Sequence, residues 1–112
     1  MQDLKKEYRL RENFEFRQVY RRGRSTPGKR IILYKLPVPD QPTRIGFVTG
    51  KKVGSAVQRN RARRLMREVY RRHRNRIADG YLLVLIGRAP LAASSYWEAE
   101  REILQVCKRA RY

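Results

Sequence analysis

The segment from Lys51 to Arg76 constrains the fold most, because it places eleven basic residues and one acidic residue, Glu68, within 26 positions. Apolar residues recur through it at the three- and four-residue spacing of a helix, at Ala62, Leu65, Met66, Val69 and Tyr70. We expect a long helix that Ser55 caps and that runs to about Ile77, with this stripe buried. The basic side chains then lie on the opposite, solvent-facing side.

The like charges of this helix point to a polyanionic partner. Basic residues four positions apart on a helix repel one another by a few tenths of a kcal/mol per pair, and the 112-residue chain has a net charge of +18. Of its 28 basic residues, 21 are arginine, which binds phosphate through two parallel hydrogen bonds and stacks on bases. One alternative is a charged helix face that contacts only solvent. Another is a protein that binds an anionic membrane, but this would need exposed apolar residues, and here the apolar residues are expected in the core. We therefore expect a nucleic-acid-binding protein.

The remaining patterns predict one α+β domain over residues 1–112, with residues 1–12 as a basic N-terminal lead-in. The expected elements are a helix at 13–20, strands at 30–36, 44–49 and 81–86, the long helix, and a last helix that begins at Ser95. Their order, α-β-β-α-β-α, suits a two-layer α/β sandwich with room for one extra short strand. The first two strands are expected to pair as a hairpin, and the apolar 81–86 strand to lie in the centre of the sheet.

Few residues suit catalysis or metal binding. The single cysteine, Cys107, excludes an internal disulfide and is expected to be a small buried apolar residue. The single histidine, His73, is expected at a solvated helix position, and the ten acidic residues show no metal-ligand spacing. No apolar run approaches the ~20 residues of a membrane helix, and no signal peptide is evident. We expect a cytoplasmic protein with no metal site and no catalytic residue of its own.

A second group of residues has aromatic character. Phe16, Tyr20, Ile32 and Tyr34 would line a groove, flanked by Arg17 and Lys52, if the first helix lies on the sheet. Unpaired bases stack on such surfaces with ~1–3 kcal/mol each. Ordinary core packing is the alternative, and periodicity alone favours it.

One family signature is visible in the sequence. Arg44-x-Gly46, followed by Lys51-Lys52-Val53-Gly54-x-Ala56-Val57-x-Arg59-Asn60-Arg61-x-Arg63-Arg64-x-x-Arg67-Glu68, closely resembles the signature of the bacterial ribonuclease P protein family. The N-terminal residues Arg9-Leu10, Phe16, Val19-Tyr20 and Gly23 are also similar, so the likeness covers essentially the whole chain. The departures are Tyr20, where the family often has Phe, and a proline-rich loop at 37–43.

This resemblance implies a fold, an activity and two sets of contacts. The fold would contain a left-handed crossover through the long helix. The activity would be removal of the 5′ leader from precursor tRNA by a catalytic RNA that holds most of the Mg²⁺, with the protein assisting and no obligate protein partner. The catalytic RNA would contact Arg59, Asn60, Arg61, Arg63, Arg64 and Arg67, to which the charge pattern adds Lys51 and Arg71. The single-stranded leader would bind Phe16, Arg17, Tyr20, Ile32, Tyr34 and Lys52.

Two other functions remain open from composition and motifs. A structural RNA-binding protein, such as a ribosomal component, would share the basic composition. A nuclease that needs no RNA would have to use the scattered carboxylates, such as Glu68 or Asp79.

Overall fold

The computed structural model describes residues 9–110, in which helices cover both faces of a four-stranded sheet. The strands are β1 (Arg24–Pro27), β2 (Ile31–Pro37), β3 (Arg44–Thr49) and β4 (Tyr81–Gly87). The helices are α1 (Asn13–Arg22), α2 (Ala56–His73) and α3 (Tyr96–Arg109). Most of the predicted lead-in, residues 1–8, lies outside the described residues. The predicted α+β class and element order are confirmed, and β1 is the extra short strand.

The sheet has the order β1-β2-β4-β3, so β4 lies between two other strands. It pairs antiparallel with β2 and parallel with β3. The predicted hairpin between β2 and β3 is therefore wrong. The strongly apolar β4 inserts between these two strands because four of its residues, Leu82 to Leu85, are buried and need cover on both faces.

The parallel pairing of β3 with β4 requires a crossover, and α2 makes it. The start of α2 has the expected cap, in which the Ser55 hydroxyl accepts a hydrogen bond from the backbone N–H of Gln58. The helix ends at His73 and continues as a 3₁₀ turn over Arg74–Arg76. The left-handed sense of this crossover stays a prediction from the family resemblance.

One face of the sheet carries the larger core. The α2 and α3 helices pack on it, and this sheet with its helix pair forms the two layers of the sandwich. From α2 the predicted stripe supplies Ala62, Met66, Val69 and Tyr70 to the core. From α3 come Ala99, Ile103 and Val106, and Ser95 with Glu98 forms the predicted capping box.

The other face is covered only in part. The α1 helix lies on it and buries Val19 in a smaller cluster with Leu82 and Val84. Leu10 extends this cover, because its backbone N–H donates to the carbonyl oxygen of Ile45 at 2.9 Å and its side chain is buried. The rest of this face is left partly accessible.

A buried carboxylate joins the β1–β2 turn to α3. One oxygen of Glu102 accepts the backbone N–H groups of Arg30, at 2.5 Å, and Ile31, at 2.9 Å, while the other accepts from the Arg30 guanidinium at 3.2 Å. Glu98 also contacts Arg30, at 3.2 Å, but its side chain is half exposed. Glu102 therefore accepts hydrogen bonds from two backbone N–H groups that would otherwise lose this acceptor in a buried position.

We predict that Glu102→Gln destabilises the fold by about 1–3 kcal/mol, because a neutral amide accepts these hydrogen bonds less strongly and offers only one oxygen. The matched control Glu98→Gln removes the same charge beside the same arginine and should cost less than about 1 kcal/mol. Urea unfolding of both variants at pH 7 measures the difference. Equal losses would show that Arg30, and not the backbone of the turn, is the important partner.

Candidate nucleic-acid interface

The approach from β3 to α2 is a tight turn that presents two lysines. Lys51 and Lys52 lie exposed on a 3₁₀ turn, Lys51–Val53, whose Val53 is buried. Gly54 follows with a φ of +132°, and a Cβ there would collide with the side chain of Gln58, which itself binds the N-cap. Only glycine suits this position. The turn thus fixes the two ammonium groups at the entrance of the arginine-rich helix.

Arg63 and Arg67, two of the predicted RNA-binding residues of α2, contact β3. Asn60 and Arg64 are exposed, and Arg59 is half-buried. The Arg63 guanidinium donates to Thr49 Oγ1 at 3.0 Å and also to the Asn60 amide oxygen. The guanidinium carbon of Arg67 lies 5.9 Å from the centre of the Phe47 ring, within the range of a cation–π contact. These contacts orient the arginines along the β3 edge and leave Arg64 facing solvent.

Arg61 and Arg71, two further arginines predicted to bind RNA, also have partners within the protein. Arg71 donates to Glu68 at 2.7 Å, and Arg72 donates to the same carboxylate at 3.0 Å. The hydrogen bond from Arg71 is the largest influence on Glu68 and lowers the pKa of that carboxyl. Arg61 donates to the carbonyl oxygens of Ala92 and Ser94 at 3.0 and 3.1 Å. Arg61 and Arg71 are thus held on the fold, whereas the Arg64 side chain has no hydrogen-bond or ion-pair partner among residues 9–110.

The aromatic groove begins where α1 crosses β3. The Phe16 ring lies so close to Gly46 that a Cβ at that position would overlap it. Beside it, the carboxylate of Glu15 is buried and accepts hydrogen bonds from Arg44 and from the backbone N–H of Arg11 and Glu12. Burial alone would raise the pKa of Glu15, but these hydrogen bonds lower it overall. A close ring contact and an ion pair therefore fix α1 on the sheet.

Tyr20 and Tyr34 form the next part of the groove. Their ring centres are 5.2 Å apart in an edge-to-face arrangement, and Tyr20 is 40% exposed while Tyr34 is half-buried. Burial, with a smaller contribution from Tyr34, raises the pKa of Tyr20, so the phenol is neutral at physiological pH. The aromatic residues thus serve partly as core and partly as accessible surface.

The floor of the groove is a row of aliphatic residues across the sheet. The strand register places Ile32 beside Ile86, and Ile86 beside Val48. All three are half-buried, and α1 covers the neighbouring row that contains Gly46 and Tyr34. We call this surface the cleft: Phe16, Tyr20, Ile32, Tyr34, Val48 and Ile86. Sequence reasoning missed Val48 and Ile86, since only the strand register shows that they join the other four.

Two predicted cations accompany the cleft. Arg17 lies exposed on α1, on a different side of the helix from the buried Val19. Lys52 lies in the turn that leaves β3 four residues after Val48. Lys52 therefore lies a short stretch of chain beyond the cleft floor, and Arg17 lies on the helix that carries Phe16 and Tyr20.

The other titratable residues have structural contacts. His73 is not at a solvated position as predicted, because its Nε2 lies 2.9 Å from a Glu100 oxygen that also accepts from Tyr96. Cys107 packs beside the larger core, and burial raises its pKa to about 11. Within residues 9–110, no three His, Cys, Asp or Glu side chains group as a metal site would need. None of the helices in this range is long and apolar enough to cross a bilayer.

Comparison with known protein families gives one consistent match. The model of the family described as Ribonuclease P matches residues 4–111. A ribonuclease P protein component from Bacillus cereus is 37% identical over 109 residues, covering 96% of this chain and 92% of the relative. One from Natranaerobius thermophilus is 39% identical over 102 residues, covering 91% and 89%.

Solved structures show the same fold. The RNase P protein from Staphylococcus aureus superposes with a TM-score of 0.84 at 27% identity, covering 92% of this chain and 94% of that protein. The RNase P protein from Thermotoga maritima gives a TM-score of 0.80 at 28% identity, with 90% and 96% covered. Sequence, fold and basic surface agree: the chain belongs to the ribonuclease P protein family, which takes part in tRNA processing.

Proposed function

We propose that this chain is the protein subunit that holds the catalytic RNA of ribonuclease P beside the single-stranded 5′ leader of precursor tRNA. In this role it assists Mg²⁺-dependent endonucleolytic removal of the leader in the cytoplasm. The RNA supplies the catalysis and most of the metal ligands, and the protein supplies binding. The proposal takes the cleft as the leader site and the β3-facing side of α2 as the catalytic-RNA site.

The observation that carries the proposal is the meeting of these two surfaces at the end of β3. The register places Val48 in the cleft floor, while the next residue, Thr49, accepts a hydrogen bond from Arg63 of α2. Lys51 and Lys52 follow directly. One short piece of chain therefore links an accessible aromatic surface to an arginine-rich helix. That arrangement suits a protein that contacts two RNA strands at once.

Charge explains why such a protein would help an RNA enzyme. The catalytic RNA and its substrate are both polyanions, so their approach is opposed by phosphate repulsion. A protein with a net charge of +18 between them lowers this repulsion and replaces part of the cation atmosphere. Stacking and phosphate contacts depend little on sequence, as a substrate range of many precursor tRNAs requires.

We predict that the protein stimulates cleavage of precursor tRNA by the cognate catalytic RNA, most strongly at low Mg²⁺, because added salt and Mg²⁺ substitute for its charge. A Mg²⁺ titration of the cleavage rate with and without protein tests this. Protein without RNA should show no cleavage, and activity that disappears in Glu68 or Asp79 variants would indicate a protein nuclease. Tight binding to ribosomal RNA without any stimulation would favour a ribosomal component.

We predict that Tyr34→Ala weakens binding of leader-bearing precursor tRNA by about 1–3 kcal/mol, because one stacking surface is lost. Affinity for mature tRNA, which lacks the leader, should not change. Phe14→Ala is the matched control, since Phe14 is 55% exposed on the outer side of α1. Fluorescence-anisotropy titrations give both affinities. Equal losses for precursor and mature tRNA would exclude the cleft as the leader site.

We predict that Arg64→Ala weakens catalytic-RNA binding and lowers the slope of log affinity against log salt by about 0.7–0.9, the value for one phosphate contact. Arg71→Ala removes the same charge from the same helix but from a residue already paired with Glu68, so its slope should change less. Filter-binding titrations across a salt series measure both. An unchanged slope for Arg64→Ala would remove this residue from the RNA-binding face.

A further inference from the structure

A largely apolar pocket lies between the C-terminal end of α2 and the second half of α3. Its volume is about 240 Å³, and none of the nine residues that line it is acidic: Val69, Tyr70, His73, Arg76, Ile77, Ile103, Leu104, Cys107 and Lys108. Pockets that take drug-sized ligands have roughly 300–1,000 Å³, so this one has room for a single flat ring system. It lies outside the cleft and outside the residues predicted to bind RNA.

The pocket contains one buried polar group that has no partner. Tyr70 is 5% exposed, and its hydroxyl makes no hydrogen bond within residues 9–110. Burial raises the pKa of Tyr70 to about 12, so the phenol keeps its proton and is a donor at neutral pH. Buried polar groups in proteins are normally hydrogen-bonded. This donor is therefore available to an acceptor on a ligand.

Tyr70 also borders a polar space. Together with Ile77 it lines a second pocket of about 330 Å³, whose other lining residues are Thr43, Arg74, Asn75 and Asp79. An apolar space and a polar space thus meet at Tyr70. A nucleobase suits such a position, because its faces stack on apolar surfaces and its edges carry hydrogen-bond donors and acceptors.

Two cations of the pocket lining are not used by the fold. Arg76 and Lys108 are exposed, and neither side chain makes a hydrogen bond or an ion pair in the part of the chain that the structure describes. Arg76 is the last residue of the basic segment with which the sequence analysis began. The remaining basic residue of the lining, His73, already contacts Glu100. Free cations beside an apolar pocket suit a ligand that joins a ring to a phosphate.

The pocket lies on the side of the protein that the proposed function gives to the catalytic RNA. The Tyr70 ring packs edge-to-face on Phe47 of β3, with the ring centres 6.0 Å apart, and Arg67 of α2 contacts the same Phe47 ring. Tyr70 belongs to the larger core between the sheet and the α2–α3 pair, whereas the cleft lies on the opposite face of the sheet. A leader in the cleft is thus separated from the pocket by the sheet itself.

We propose that this pocket receives an unpaired base of the catalytic RNA. The base packs among the apolar side chains and accepts a hydrogen bond from the Tyr70 hydroxyl, while Arg76 and Lys108 contact the adjoining phosphate. The inference rests on the proposed function, because it takes this chain to bind the catalytic RNA. The pocket then adds an RNA contact at the end of α2, beyond the arginines that face β3.

Cys107 makes occupancy of the pocket measurable, because it lines the pocket and is the only cysteine of the chain. A maleimide should label it slowly in the free protein, and catalytic RNA at about ten times its Kd should slow this labelling about tenfold, in line with the fraction of protein left free. Precursor tRNA alone should leave the rate unchanged. Protection by precursor tRNA instead, no protection by the catalytic RNA, or no labelling of the free protein would each overturn the proposal.

Two variants test the contacts themselves in catalytic-RNA titrations across a salt series. Tyr70→Phe removes only the hydroxyl, so it should weaken binding about three- to tenfold, the effect of one hydrogen bond, with an unchanged salt slope and unchanged thermal stability. Lys108→Gln should lower the slope by about 0.7–0.9, the value for one phosphate contact. Arg101→Gln is the matched control, because Arg101 is an exposed cation of α3 outside the pocket lining.

Unchanged binding in both pocket variants, or an equal loss of slope in Arg101→Gln, would overturn the proposal, because the first removes the contacts and the second indicates a general effect of charge. Arg64→Ala in the same titrations reads the α2 site independently. Failure of the pocket alone would leave the effect of Arg64→Ala intact, whereas failure of the proposed function would remove that effect as well.

Discussion

Leu82 to Leu85 of β4 are each at most 3% exposed, so this strand needs apolar cover on both faces and a hydrogen-bonded neighbour on each side. The sheet provides β2 and β3 as neighbours, and the two faces receive different cover. On one face, α2 and α3 bury it fully. On the other face, the short helix α1 covers only the cross-strand rows of residues nearest to it. The row of Ile32, Ile86 and Val48 is left uncovered and forms the cleft floor. The accessible apolar surface is thus a direct consequence of how β4 is enclosed.

The few carboxylates complement this arrangement by joining elements that would otherwise repel. Glu15 links α1 to Arg44 of β3, and Glu102 links α3 to the β1–β2 turn through Arg30. Because the hydrogen bonds to Glu15 hold its pKa below the ordinary value of 4.5, this link adds stability at neutral pH. That stability is lost as the pH falls through the folded-state pKa. The carboxylates are thus used within the fold, and most cations remain at the surface.

How much was predictable depends on whether a feature is local. The cap at Ser55, the buried stripe of α2 and the central position of β4 follow from short-range patterns, and the structure confirms them. The neighbour of β2 in the sheet does not follow from short-range patterns. Pairing β2 with β3 and pairing it with β4 both satisfy the alternation of side chains along the strand, and only the burial of β4 on both faces decides between them. The same limit explains why Val48 and Ile86 were missed, since their place in the cleft depends on strand register. The pairing of Arg71 with Glu68 was in principle visible from their i, i+3 spacing.

The arginines of α2 divide according to what faces them. On the α3 side, Arg61 meets backbone carbonyls and Arg72 meets both Glu68 and the Tyr96 ring, whose centre lies 4.7 Å from the guanidinium carbon. On the β3 side, Arg63 donates to the Thr49 hydroxyl and to the Asn60 amide oxygen, and neither acceptor carries a charge. Glu68 therefore offsets part of the basic charge of the helix through Arg71 and Arg72, while Arg63 keeps its charge beside β3. In the proposed function, this remaining charge attracts a polyanion to the edge of the sheet at which the cleft opens.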